Sequence, residues 1–315
     1  MAPETADIPL SLRELWNLCG PILRFRILRD IVGRDESYIE TANRGLELLG
    51  HPDVQPILQA QLSNGLWGDF LTTEVAVLHL CELGLEGSPA VVRAREKVLE
   101  PTLVKPDVLW EFEKAEFDEE GKKLARRIVR DKTLHMLCRS NREEDPAVRP
   151  FLEQLLVEWD HYLTASHPVP TADGYAAVCL YPWNDDDFPR VQDLVKRLVI
   201  YGEENAFCPA DVPRELAPFI FRLVDKWQYL AEPTRLFYDL ELASTVGVAH
   251  DLESTSWMLE ELEARQDADG FFRFPDAVEI QPSWYFPIEK SNPDDFYIEY
   301  TFRAELIFKR LAYDI

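Results

Sequence analysis

The chain has 315 residues and a formal charge of −24, from 57 acidic against 33 basic side chains. With a pI near 4.6, its surface repels phosphate backbones and anionic lipid heads, which argues against nucleic-acid and membrane-surface partners. An apolar share of 46% is ample for a core, yet no apolar run approaches the ~18 residues needed to cross a bilayer.

Helical periods run through the chain and no stretch alternates as a strand does. The start carries Glu4 and Asp7 and no apolar signal segment, and five scattered cysteines sit mostly in apolar runs, so reduced thiols in a cytoplasmic protein are expected. A short helix over 10–19 is closed by Gly20, and Pro21 opens a second over 22–32. That second helix holds Arg24, Arg26, Arg29 and nearby Arg34, the most basic stretch of an acidic protein. These arginines could grip an anionic partner or form a solvated face. A third helix over 37–49 stops at Gly50 and Pro52. Further helices are expected over 54–62, 72–83 with Gly84 as its stop, and 89–99 with Ser88 as cap and Pro89 in the first turn. The remaining ones fall at 119–138, 147–165, 191–201, 212–230, 234–245, 251–265 and 296–312. Connections are short and rich in Pro, Gly and Asp, no linker divides the chain, and one domain over 1–315 is expected, with 1–50 packing on or completing it.

One stretch gives this array its grammar. Gln61, Gly65 and Trp67 form Q-x3-G-x-W between two helical segments, and Gln266, Gly270 and Phe272 repeat it with Phe in place of Trp. A Gln at a helix end bonds unpaired backbone groups, Gly turns the chain, and the aromatic packs on the neighbouring helix. With the following run from Thr72 to Leu85 and the next helix from Ser88 to Leu99, this stretch resembles the α/α-toroid superfamily of prenyltransferase and squalene-cyclase-like proteins. In particular it resembles short bacterial stand-alone toroid proteins. The match is clear over 22–99 and fair over 251–311.

The resemblance implies an all-α fold, an α/α toroid in which inner helices line a central cavity and outer helices wrap them. It places inner helices after the turns, beginning near Thr72, Lys132, Gly174, Thr234 and Asp295. Their polar and aromatic residues would then face an apolar, prenyl-type ligand: Thr72, Thr73, Glu74, Thr133, His135, Tyr175, Tyr238, Asp239, Glu241, Tyr297, Glu299 and Tyr300. Aromatic faces stabilise a carbocation, although tyrosines equally fill helix interfaces.

Candidate chemistry is sparse. No cofactor is implied, and His135 with Cys138 is a lone pair without the further ligands of a zinc site. Asn292-Pro293-Asp294-Asp295-Phe296 and Asn184-Asp185-Asp186-Asp187-Phe188 both read N-x-D-D-F. The cyclase motif that they resemble is D-x-D-D, whose middle Asp protonates an alkene, and here Asn replaces the first Asp. Asp294 and Asp295 open the last helix and are the candidate acids of a proton-initiated cyclisation or isomerisation; they are equally an N-terminal cap. Two readings stay open: a terpenoid-cyclase-like lyase or isomerase, and a non-catalytic toroid that binds a ligand or a protein. The oligomeric state stays open too.

Overall fold

The computed structural model describes residues 12–33, 48–105, 117–141, 144–166, 168–205, 216, 233–274 and 296–313. Among them no strand forms; isolated bridges pair Trp67 with Asp69 and Gln266 with Phe272. The chain is all-α. No helix of the described residues is long and apolar enough to cross a membrane.

In chain order the helices are α1 (Arg13–Leu18), α2 (Pro21–Arg26), α3 (Gln55–Gln59), α4 (Phe70–Glu82), α5 (Pro89–Ala94), α6 (Glu100–Val104) and α7 (Glu119–Ser140). They continue as α8 (Arg149–Ala165), α9 (Ala172–Leu180), α10 (Phe188–Asn205), α11 (Pro233–Thr245), α12 (Glu253–Glu263) and α13 (Phe296–Tyr313). A π-helical turn, Ile27–Ile31, extends α2, and another, Arg95–Leu99, joins α5 to α6 just before Pro101. Proline has no N–H to continue the ladder, so a register change beside it is a local consequence of sequence. Apart from Leu216, the expected helix over 212–230 lies outside the described residues, as does most of that over 37–49.

The ends of these helices follow from their capping residues. Asp69, Ser88, Asp118 and Thr171 each accept a hydrogen bond from a backbone N–H in the first turn of α4, α5, α7 and α9. Such caps satisfy donors that the helix itself leaves unpaired. From Asp118 the α7 helix runs unbroken to Ser140, so Lys132 lies in its middle and does not begin an inner helix. Helix α4 ends at Gly84, whose φ of +81° belongs to the left-handed region, and Leu85 N–H bonds back to Leu80 C=O. A Cβ there would lie 2.5 Å from the Phe25 ring, so glycine serves both the turn and the close approach of α2.

Packing follows chain order. Helix α7 lies against α4 on one side and α9 on the other; α9 meets α11, and α11 meets α13. Helix α13 packs on the Ile27–Ile31 turn, and Arg26, the last residue of α2, pairs with Glu82 of α4. The intervening α8 packs on α9 and α10, and α12 packs on α11. A broad core unites most helices, with Trp159, Phe70, Phe237 and Phe272 almost fully buried, while Leu15, Trp16, Leu23, Ile27, Leu28 and Phe302 form a second cluster that ties α1 and α2 to α13.

Both Q-x3-G-x motifs fold into the same joint. Gln61 Nε2 donates to Gly65 C=O at 3.1 Å, and Gln266 Nε2 donates to Gly270 C=O at 3.2 Å. Gly65 and Gly270 have φ of +92° and +84°, a conformation that side chains disfavour. Trp67 N–H then donates to Thr73 Oγ1 at 2.9 Å, and Phe272 N–H to Thr301 Oγ1 at 3.1 Å. Each threonine hydroxyl donates in turn to the carbonyl four residues earlier, Asp69 or Tyr297. Gln61 also reaches Ala90 C=O at the start of α5, and Trp67 Nε1 bonds Ile57 C=O, so the first joint fastens three helices.

Candidate functional site

The C-terminal ends of α4, α7, α9, α11 and α13 converge with the Ile27–Ile31 turn around a cavity of about 560 Å3. Arg26, Arg29, Arg139, Lys309 and Arg310 line it together with Asp30, Glu86 and Glu241, and Cys81, Cys138, Asn141, Ser244 and Thr245 add neutral polar atoms. Helix C-termini present unpaired carbonyls and a negative dipole end, so cations are at home there.

Beneath the cavity a buried ion-pair network crosses the interior. Arg303 contacts Glu82 at 2.8 Å, Glu299 at 2.9 Å and Glu241 at 3.1 Å. Arg26 contacts Glu299 at 2.8 Å and Glu82 at 3.6 Å, Arg139 bonds Glu82, and Arg310 reaches Glu241 at 3.3 Å. Burial alone would raise the Glu82 carboxyl, but Arg139, Arg303 and Arg26 hold it below the usual carboxylate range. Burial disfavours the Arg29 charge, yet Asp30 and Glu86 more than restore it. The Cys81 and Cys138 thiols are pushed well up by burial, and stay protonated and unreactive. Arg26 Nε is buried without a hydrogen-bond partner among the described residues.

A second polar cluster lies nearer the N-terminal ends of α4 and α9. Lys132 Nζ donates to both Glu74 oxygens, at 2.6 and 2.9 Å, and pairs with Asp173 Oδ2 at 3.2 Å. Asp173 Oδ1 lies 3.0 Å from His135 Nδ1, and His135 Nε2 lies 3.1 Å from Tyr238 Oη. Glu74, Lys132 and His135 are buried, whereas Asp173 and Tyr238 are half-buried. Burial would raise Asp173, but Lys132 and His135 bring it down to about 2. Burial and neighbouring acids lift the Tyr238 phenol well above its ordinary value, so it keeps its proton. One ligand atom each from Glu74, His135 and Asp173 falls within 4.8 Å of the others, near enough for a metal ion. The Lys132 ammonium already bonds both carboxylates, so the chain itself supplies the cation at this place.

Of the residues singled out in the sequence, Glu74, His135 and Tyr238 meet in this cluster, while Glu241 and Glu299 meet in the ion-pair network. The others lie apart. Tyr175 stacks on Trp159, and Tyr300 is packed among Phe237, Phe274 and Phe296. Tyr297 sits against Phe271 with Arg273 over its ring. Asp239 is half-buried, and Thr73 and Thr133 are buried with their hydroxyls bonded to carbonyls of their own helices. Asp294 and Asp295 lie outside the described residues. In the other copy of the acidic motif, Asn184 Oδ1 accepts from the N–H groups of Asp186 and Asp187, and Asp187 pairs with Arg149. That is a turn preceding α10.

Sequence reasoning passed over Lys132, Asp173, Glu82, Arg139 and Arg303. A charge inside an otherwise apolar helical run, as Glu82 is after Leu80 and Cys81, signals a buried partner. Nothing local identifies that partner. In the basic stretch of the second helix Arg26 is buried and, with Arg29, lines the cavity, so these two do not form a solvated face.

No protein-family model, curated protein or solved structure matches this chain. What can be said of its activity therefore rests on its own residues.

Proposed function

We propose that the chain is a single α/α toroid whose interior binds a small anionic ligand at the C-terminal ends of its inner helices. Support for the toroid comes from the packing order: α4, α7, α9, α11 and α13 succeed one another as neighbours, and α2 with its π-turn stands between α13 and α4. The helices between them in sequence take the outer places, and the paired joints at Trp67 and Phe272 recur as a repeat requires.

The observation that carries the ligand reading is the cavity wall. Five cationic side chains face three acidic ones, in a chain whose net charge is −24. Arginines already paired to one carboxylate keep further N–H donors, because a guanidinium has five. Leu180 and Leu306 are the main apolar groups in the wall, so a compact phosphate or carboxylate compound fits better than a prenyl chain. Proton-initiated cyclisation rests on Asp294 and Asp295, and no described contact favours it.

Calorimetric titration with pyrophosphate, citrate and farnesyl diphosphate tests this reading. Pyrophosphate or citrate should bind, and Arg310→Ala with Lys309→Ala should weaken it by about tenfold or more, as loss of charge-assisted bonds does. No binding of either anion at millimolar concentration, or unchanged affinity in the double variant, overturns the reading. Farnesyl diphosphate binding far more tightly than pyrophosphate would return the preference to a prenyl-type ligand.

A further inference from the structure

We propose that the anion bound in the cavity also carries hydroxyl groups, and that Ser244 and Thr245 recognise them as hydrogen-bond acceptors. The inference rests on the anion-binding reading above and adds what separates one anion from another. The ligand class is a hydroxylated carboxylate or a hydroxylated phosphate ester, as against the same anions without the hydroxyl.

Ser244 and Thr245 end α11, and both line the cavity. A hydroxyl ordinarily both donates and accepts, but here the donor side is already used. Ser244 Oγ lies 2.9 Å, and Thr245 Oγ1 2.8 Å, from the carbonyl oxygen of Glu241. A carbonyl has no proton to give, so each hydroxyl proton points along its contact. Lone pairs are what the two oxygens keep, and lone pairs accept. They repel an anionic oxygen and suit a ligand O–H. The same Glu241 carbonyl takes Arg310 Nη1 at 3.4 Å, so a cation and both acceptors gather at one atom. A ligand held there has its hydroxyl within a carbon or two of its anionic group.

The neutral part of the wall has the same character. Helix C-termini leave carbonyls without intrahelical partners, which adds acceptors and no donors. The Cys81 and Cys138 thiols are only weak donors. A ligand ammonium is a poorer match than a hydroxyl, because the acids that would receive it already hold arginines. Asp30 and Glu86 lie 2.7 and 2.9 Å from Arg29, and Glu241 lies 3.1 Å from Arg303 and 3.3 Å from Arg310. An ammonium would also stand among five cationic side chains, whereas a hydroxyl donates without adding charge. At about 560 Å3 the cavity has the size of a small-molecule site, with room for a head group and hydroxylated carbons.

The test is calorimetric titration of the full chain with two matched pairs, malate against succinate and glycerol 3-phosphate against propyl phosphate. Pyrophosphate serves as the reference anion. In the pair whose head group fits, the hydroxylated member should bind about fivefold tighter or more, the worth of one net hydrogen bond. Ser244→Ala with Thr245→Val should bring that preference to parity. The member without a hydroxyl should change by less than about twofold, because every cationic side chain is kept. Should the double variant fail to fold, Thr245→Val alone, at a half-buried position, should reduce the preference by about twofold or more. Equal affinity or no binding within both pairs, in a chain that binds pyrophosphate, overturns this inference and leaves the anion reading standing. A preference undiminished in the folded variant also overturns it. Failure of all five compounds to bind overturns both.

Discussion

Asp173 illustrates how a single side chain is set by its surroundings. It is surrounded by Lys132 and His135 from α7, with Glu74 from α4 and Tyr238 from α11 nearby. Its folded-state pKa of about 2 lies below the ordinary 3.8. A carboxyl with a depressed folded pKa stabilises the fold at pH values above its unfolded pKa, and loses that contribution as pH falls through the folded value. The stability difference between the unaltered chain and Asp173→Asn should therefore shrink as pH falls from about 4 to about 2. Urea midpoints across that range measure it. A difference that grows on acidification would contradict the assigned environment.

At the level of elements, the two joints show how a repeat is held without sequence identity. Trp67 and Phe272 differ, but their backbone N–H groups are treated alike, each bonded to a threonine near the start of the following helix, α4 or α13. The acceptor comes six residues on at Thr73 and twenty-nine on at Thr301. Thr73→Val keeps the shape and removes the acceptor, so the buried Trp67 N–H loses its partner. The expected cost is about 1–3 kcal/mol, with Thr73→Ser recovering most of it. Equilibrium unfolding of the three proteins measures this. Equal stability of Val and Ser variants would show that the hydroxyl plays no part.

For the whole molecule, Arg303 is the point at which distant parts of the chain meet. It holds Glu82 of α4, Glu241 of α11 and Glu299 of its own helix, and Arg26 and Arg139 complete the set from α2 and α7. Such a network costs desolvation energy to bury, and it does not stabilise simply by being present. Breaking it is another matter, because the remaining carboxylates stay buried. Arg303→Leu should destabilise by about 3–5 kcal/mol at neutral pH. The loss should diminish toward pH 4, since carboxylates stripped of their arginines take up protons more readily. Arg303→Lys should not restore stability, because an ammonium lacks the planar fork that reaches three acids. Thermal unfolding of both variants at pH 7 and pH 4 tests the prediction.

Periodicity, proline, glycine and capping residues determined the helices by local chemistry alone. Gly84, Ser88 and the two Q-x3-G-x joints sit where their conformational needs place them, and each is satisfied within a few residues. The joints could be read from sequence because their Gln-to-carbonyl bond spans only four positions. The candidate sites were legible only in fragments: Glu74, His135 and Tyr238 stood out as polar residues on apolar helices, while Lys132 and Asp173 did not. Their meaning depends on partners 58 and 38 positions away, in Glu74 and His135. A charged side chain on a helix reads as solvated until a neighbour covers it, and covering is a property of packing. Tertiary structure alone therefore decided that the interior carries buried charge, and that arginines from α2 stand at the cavity where five other helices end.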